Sequence, residues 1–327
     1  MHSVNATRGE LKCDSNMSSG TKTDFADYIQ EFLWATPTWT AQARGIAVYA
    51  IAWFILARRA IPYCFMRLVA PRIKNIDQYL ELNRATFKKS FFYDTGDDKA
   101  FILEQVSLFV GVIAQHGVGG LLGIPSAYNL EPHIQAAIGT KWWPTGIAAA
   151  LGRHCSLSEV GWEQSDILLR TYQVCFGGPL GRKQNPSKFL ILAAMHHCCS
   201  PLAIMLNLLY PNHSAGHEGV MAIQISSFVS FSLQQYSYTC DARLRGDRIR
   251  MQVASLVVMA SVLWARVYVW FKNWRIFSID YFGDRQELTK TEMAMTIPLA
   301  LVTVFNLVIV ADATKKCIKA FRKIKKC

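Results

Sequence analysis

Two adjacent histidines, His196 and His197, lie near the middle of an apolar stretch, 188–210. A stretch of about twenty apolar residues suffices to cross a bilayer as a helix. Ionisable groups at that depth are costly, and they usually face the interior of a helical bundle. The pair is therefore either a packing pair that a neighbouring helix hydrogen-bonds, or a reactive or lipid-headgroup site inside a bundle.

A second set of ionisable residues precedes the histidines along the chain. Glu159, Glu163, Asp166 and Arg170 follow one another at spacings of four, three and four. On a helix these side chains fall on one stripe. The stripe is either the solvated face of an interfacial helix or a charged wall inside a cavity. In the second case the three carboxylates are the candidate partners of His196 and His197, which we treat as candidate catalytic residues.

The histidine pair alone does not predict a metal site. Neighbouring side chains on one helix point about 100° apart, so His196 and His197 cannot readily share one ion. The nine cysteines form no CxxC pair, so neither a zinc site nor a disulfide framework is indicated. We therefore expect no metal and no bound cofactor.

The composition is typical of a helical membrane protein. Of the 327 residues 51% are hydrophobic and the mean hydropathy is +0.16, which is too apolar for an ordinary soluble domain. The apolar residues gather in runs of membrane-spanning length. The net charge of +12 does not indicate a nucleic-acid partner, because the basic residues lie between and after these runs.

The apolar runs predict an all-α, multi-pass fold with seven spans. The spans are 38–57, 100–123, 143–176, 188–210, 219–238, 253–271 and 293–311. Segment 143–176 is the least regular; we count it as one crossing, and two crossings are left open. A basic segment follows the first span and is predicted to lie along the membrane surface. It contains Pro62, Pro71, an amphipathic stretch around 79–92 and the basic residues Arg67, Arg72, Lys74, Arg84, Lys88 and Lys89. Around the membrane domain, 38–312, we expect residues 1–37 to form a disordered lumenal segment and residues 313–327 a basic cytosolic tail.

Small and polar residues inside the spans indicate helix packing. The glycine-rich stretch 117–120 favours close helix contact over phosphate binding, because no strand precedes it. Ser227, Ser230 and Gln234 share one helix face, which suits hydrogen bonds between helices.

The distribution of Lys and Arg predicts the orientation of the chain. With seven spans the termini lie on opposite sides, and the side of the C-terminus carries 23 of these residues against 9 on the other. The positive-inside rule then places the C-terminus in the cytosol and the N-terminus in the lumen. The three Asn-x-Ser/Thr sequons, at Asn5, Asn16 and Asn212, all fall on the lumenal side, which predicts a glycoprotein.

The C-terminal tail predicts a compartment. The last five residues, Lys323-Ile-Lys325-Lys-Cys327, read Lys-x-Lys-x-x. A cytosolic tail of this form looks like a dilysine signal for retrieval to the endoplasmic reticulum. The alternative is a solvated basic tail attracted to anionic lipid. We expect a protein of the endoplasmic-reticulum membrane.

The arrangement over 155–240 resembles the TLC family of membrane proteins, to which the ceramide synthases belong. In that family a basic loop leads to a span with paired histidines, and a short loop and a glycine precede a span with a His-Asp-x-Ser-Asp motif. Here the basic loop 182–188 precedes His196 and His197, and Gly219 opens the next span. The resemblance implies one outlying helix beside a six-helix barrel with a central, lipid-accessible cavity.

The matched span departs from the family's motif. The His-Asp half aligns with Ser226-Ser227, and the second Ser-Asp aligns with Ser230-Phe231. Ceramide synthesis needs a base that takes a proton from an amine as it attacks an acyl thioester, and a carboxylate that orients the base. The histidine pair can supply the base, and the carboxylate would have to come from another segment: Glu104, Glu159, Glu163 or Asp166.

The sequence leaves two classes of function open. The first is a lipid-binding or lipid-processing protein of sphingolipid type, either non-catalytic or an N-acyltransferase with acyl-CoA as co-substrate. The second is a transporter or ion channel, in which the same buried polar groups line a path. A polar centre beside an apolar, lipid-sized cavity favours the first class, and a continuous polar path favours the second. Membrane lipid is the expected partner, and a homo-oligomer is left open.

Overall fold

The computed structural model of the protein describes residues 34, 38–90, 95–277 and 290–322. In these ranges the chain forms helices joined by turns, and they contain no strand. The helices are α1 (Trp39–Arg72), α2 (Ile76–Ser90), α3 (Lys99–Ala127), α4 (Glu131–Ile138), α5 (Ile147–Phe176), α6 (Gly178–Gln184), α7 (Ser187–Leu209), α8 (Ser214–Thr239), α9 (Arg245–Ile276) and α10 (Lys290–Arg322).

Five of these helices, α1, α3, α7, α9 and α10, are long and apolar enough to cross a membrane. The protein is therefore a helical membrane protein, as predicted. Helices α5 and α8 also cover predicted spans, but they carry many polar side chains, among them the buried Glu159, Glu163 and Gln224. Their 30 and 26 residues give lengths of roughly 45 and 39 Å.

Helix α1 is longer than the predicted span 38–57. It continues through Pro62, which lies in the first turn of a helical segment, where its missing N–H is tolerated. The extension contains two π-helical turns, Leu56–Ala60 and Phe65–Val69. The basic stretch from Arg58 to Arg72 is therefore part of the same helix, whereas Arg84, Lys88 and Lys89 lie in the separate helix α2.

Several predictions for the termini fall on residues that the structure does not describe. Most of the segment 1–37, with Asn5 and Asn16, lies outside the described residues. So do Lys323 and Lys325. Helix α10 continues to Arg322, so the predicted tail begins as a helix.

Six long helices contact one another in a ring. Around it, α3 packs on α8, α8 on α9, α9 on α10, α10 on α7, α7 on α5, and α5 on α3. Helix α5 also contacts α8 across the ring, and α1 packs on α5 and α3.

Glycines on α3 allow close contacts. A Cβ at Gly119 would clash with the Gln224 side chain, and a Cβ at Gly111 would clash with the Ala57 carbonyl. The packing role predicted for 117–120 is confirmed.

Contacts near the helix ends show that long helices that follow one another along the chain alternate in direction. Near the starts of α1 and α5, Gln42 and the Arg153 carbonyl accept hydrogen bonds from Asn207, near the end of α7. At the start of α8, His217 bonds Ser126 of α3 at 2.6 Å. At the opposite end of the bundle, Gln252 near the start of α9 donates to the carbonyl of Ala320 in α10. The start of α1 and the end of α10 therefore lie at opposite ends of the bundle.

Helix α2 is amphipathic and docks on α3 and α8. Tyr79 donates a hydrogen bond of 2.6 Å to Gln235 Oε1, and Gln78 donates to the carbonyl of Cys240 at 2.8 Å. Burial raises the pKa of Tyr79 to about 12, so its hydroxyl remains a donor at neutral pH. This contact holds α2 against the end of α8.

Candidate functional site

The histidine pair lies directly before an interruption in α7. The helix consists of two segments, Ser187–His197 and Cys199–Leu209, which meet at Cys198. Pro201 has no N–H to donate to the carbonyl of His197, four residues earlier, which accounts for the interruption. His196 and His197 thus form the last turn of the first segment, with ring centroids 5.6 Å apart.

His197 lies next to an aspartate that two arginines already hold. Its Nε2 atom is 3.4 Å from Asp166 Oδ2, and its Nδ1 atom is 3.9 Å from Glu163 Oε2. Asp166 accepts hydrogen bonds from Arg58 at 2.8 Å and from Arg170 at 2.6 Å. The carboxylate is therefore neutralised and fixed in place, and it can orient the imidazole of His197.

His196 faces the two glutamates of α5. Its Nε2 atom is 3.7 Å from Glu163 Oε1 and 3.9 Å from Glu159 Oε1. Its ring stacks on Phe305 of α10, with the centroids 5.2 Å apart. Nδ1 of His196 is buried and has no hydrogen-bond partner among the described residues. The imidazole is thus held mainly by packing, and its Nε2 atom points to the carboxylates.

Glu159 and Glu163 are buried, with 4% and 0% exposure. Gln115 donates to Glu159 Oε2 at 3.0 Å, and Ser200 donates to Glu163 Oε2. Within the described part of the chain, no Lys or Arg forms an ion pair with either glutamate; their ion-pair contacts are with the histidines. A buried charge is costly unless it is paired, so these carboxylates need a proton or a cation.

The other side of the cluster is closed by Arg266, which lies in a π-helical turn of α9, Trp264–Val269. Its guanidinium donates to Asn306 at 2.6 Å and to Ser227 at 3.1 Å. It also lies 5.6 Å from the centroid of the Phe305 ring, the ring that stacks on His196. Arg266 therefore joins α8, α9 and α10 to the polar centre.

A cavity of about 390 Å³ lies next to this cluster, among α7, α8, α9 and α10. Its lining is mainly apolar and includes Leu202, Ile223 and Trp270. Glu159 and Cys199 also line it. Because Glu159 is close to His196, the polar cluster and the apolar cavity are continuous.

The structure brings together all five residues proposed from the sequence: Glu159, Glu163, Asp166, His196 and His197. The carboxylate stripe forms an interior wall and not a solvated face. Glu104, the other carboxylate considered, is exposed on α3 and does not join them.

Further residues of the cluster, besides Ser200, were not selected from the sequence. They are Arg58, Gln115, His116 and Arg266. His116 and Arg266 could have been selected from the sequence, because an ionisable side chain within a predicted membrane span indicates a functional site.

Two groups of side chains in the cluster are arranged closely enough to hold a metal ion. The donor atoms of His116, Glu159 and His196 all lie within 4.8 Å of one another, and so do those of Glu163, His196 and Cys199. Each group uses only one histidine of the adjacent pair. The prediction that no metal binds was based on His196 and His197 of one helix alone, and it did not include ligands from α3 and α5.

Comparison of the chain with protein-family models, curated proteins and solved structures found no match. The TLC resemblance therefore stays a prediction. The function of the cluster has to be inferred from its geometry and chemistry.

Proposed function

We propose that this is a lipid-binding or lipid-processing membrane protein of TLC type, with its site at His196 and His197. The observation that carries the proposal is the position of Glu159, which belongs both to the polar cluster and to the lining of the apolar cavity. A lipid combines a polar headgroup with an apolar chain, so it matches both environments. Small-molecule pockets measure roughly 300–1,000 Å³, a range that includes the cavity of about 390 Å³.

The proposed architecture is a seven-span bundle in the endoplasmic reticulum, with a lumenal N-terminus and a cytosolic tail. The ring of six helices with α1 outside it supports this arrangement. Helices α5 and α8 are the two proposed spans that are least apolar. Their polar side chains are largely buried within the bundle, as an intramembrane helix requires. The alternating helix directions also agree with an odd number of crossings.

If the protein is an enzyme, the proposed reaction is N-acyl transfer from acyl-CoA. An amine of the acceptor lipid forms a C–N bond with the thioester carbon, and the C–S bond breaks. His197 accepts the amine proton and passes it to the leaving thiolate. Asp166, 3.4 Å from His197 Nε2, supplies the carboxylate that the aligned Ser226-Ser227 lacks. Without catalysis, the same site would hold a lipid for binding or trafficking.

Lipid mass spectrometry of the purified protein tests the proposal. A Cβ at Gly219 would have only Asn273 Nδ2 within 4 Å, at 3.6 Å, and Gly219 lines the cavity. Gly219→Phe should therefore fill the cavity, whereas Gly219→Ala should leave most of it open. We expect a co-purifying lipid in the wild type and in Gly219→Ala, and its loss in Gly219→Phe.

Thermal unfolding of both variants provides the control for folding. A folded Gly219→Phe variant that keeps the same lipid would contradict the proposal, as would a wild type without specific lipid.

A transporter or channel is the second candidate. It is favoured by the ionisable groups Glu163 and Arg266 within the helical core, since such groups often mark ion or proton paths. Ion and proton flux into proteoliposomes distinguishes the candidates. Flux that is lost in Glu163→Gln and unaffected in Gly219→Phe would favour transport over lipid binding.

A further inference from the structure

We infer that His116, Glu159 and His196 bind a divalent transition-metal ion, either zinc or iron, inside the ring of helices. The inference rests on the proposed function, because it places the ion next to the same apolar cavity. The inference also goes beyond the proposed function, since it assigns a role as a metal ligand to His116, which the lipid site does not require.

The three ligands come from three helices, α3, α5 and α7, that meet inside the bundle. Their donor atoms lie within 4.8 Å of one another, and Nε2 of His196 is 3.9 Å from Glu159 Oε1. A tetrahedral ion with bonds of about 2.0–2.1 Å holds its donor atoms about 3.3 Å apart. The His196–Glu159 separation therefore has to contract by about 0.6 Å, and the widest separation by at most about 1.5 Å, to bring the three donors to bonding distance.

Hydrogen bonds already orient two of the ligands. Nδ1 of His116 lies 2.9 Å from the carbonyl of Val112. A carbonyl only accepts, so Nδ1 carries the hydrogen, and Nε2 presents its lone pair. Gln115 donates to Glu159 Oε2 at 3.0 Å, and this leaves Oε1 to face His196. Such outer partners are characteristic of metal-binding histidines and carboxylates.

The charge of the cluster also favours a cation. Glu159 and Glu163 are buried, and in the described chain neither forms an ion pair with a Lys or Arg. A divalent ion compensates two carboxylates at once. Glu163 Oε1 is buried without a hydrogen-bond partner among the described residues and lies 3.7 Å from His196 Nε2. It can accept a hydrogen bond from a further ligand of the ion.

The second group, Glu163, His196 and Cys199, competes for the same histidine. We favour the first group because His116 and Glu159 are both oriented by outer hydrogen bonds. Two imidazoles and one carboxylate form the set found in catalytic zinc sites and in non-haem iron sites, which leave a coordination position open. Because Glu159 lines the apolar cavity, the substrate class that suits such an ion is an acyl lipid, whose carbonyl the ion would polarise.

The test is the metal content of the full-length protein, purified without a polyhistidine tag and without chelators. Inductively coupled plasma mass spectrometry should find about one zinc or iron ion per chain, and the element found identifies the ion. We expect at least a tenfold loss in His116→Gln, Glu159→Gln and His196→Gln. His197→Gln is the matched control, since it removes the adjacent imidazole and should retain the ion.

Other results would overturn the assignment. A wild type without metal, even after dialysis against Zn²⁺ or Fe²⁺, would exclude the site. Metal that persists in all three ligand variants would be adventitious. Loss of metal in Cys199→Ser, with retention in His116→Gln, would select the other group.

Lipid mass spectrometry on the same samples separates the two proposals. Bound lipid without metal would contradict only the metal site, and bound metal without lipid would contradict only the lipid site.

Discussion

Asp166 contacts Arg58, Arg170 and His197 at the edge of the candidate site. Its replacement by Asn should destabilise the protein. The side chain is 8% exposed, and that of its partner Arg58 is 15% exposed. Asn keeps the shape but removes the charge, so Arg58 loses the only carboxylate with which it forms an ion pair among the described residues. Breaking a buried ion pair in this way costs about 3–5 kcal/mol.

The assay is thermal unfolding in mild detergent, followed by tryptophan fluorescence. For a chain of this size the cost corresponds to a fall in Tm of roughly 4–7 °C. Asp97→Asn is the matched control, because Asp97 pairs with Arg84 on the surface and its side chain is 90% exposed. The control should change Tm by less than about 2 °C.

A double-mutant cycle with Arg58→Gln tests the cause. If the two residues stabilise the fold through their contact, the double variant should lose less than the sum of the single variants. Equal Tm values for Asp166→Asn and Asp97→Asn, or strictly additive losses in the cycle, would refute the interpretation of Asp166 as a buried charge centre.

Three further predictions concern packing, topology and location. Gly111→Ala should lower stability by about 1–3 kcal/mol, because its Cβ would overlap the Ala57 carbonyl. The control Gly246→Ala meets no atom within 4 Å and should be neutral. Similar Tm values for the two variants would contradict the close contact of α1 with α3. The charge distribution predicts that protease added to intact microsomes removes a C-terminal tag, and a protected tag would reverse the proposed orientation. Replacing Lys323 and Lys325 with Ser should release the protein from the endoplasmic reticulum in fluorescence microscopy, and unchanged localisation would assign these lysines to lipid contact alone.

The helices and half of the site could be predicted from the sequence because both depend on local spacing. Each of the seven predicted segments forms a helix. The stripe of Glu159, Glu163 and Asp166 lies on one face of α5, since spacings of four and three return to the same side of a helix. Its contact with His196 and His197 followed from the need of buried ionisable groups for partners.

The rest of the site depends on which helices become neighbours, and spacing along the chain carries no such information. His116 reaches His196 only because α3 and α7 both pack on α5. From the sequence, Arg58 was placed at the end of the first span, 38–57, where a basic segment follows. In the structure the helix instead continues past this point and packs against α3, and Arg58 becomes a partner of Asp166 in α5.

The π-helical turns in α1 and α9 have a consequence for insertions and deletions. Arg58 lies in the turn Leu56–Ala60 and Arg266 in the turn Trp264–Val269, so both of these arginines occupy turns with one residue more than an α-helical turn needs. Removing a single residue from such a turn can restore regular α-helical hydrogen bonding and leave the flanking turns nearly in register, while it displaces the side chains of the turn itself. We therefore expect one-residue deletions at these two places to leave a protein that inserts and survives detergent extraction but has lost the arginine contacts of its interior. Length variation at these turns would then be tolerated by the membrane fold and selected against by the site.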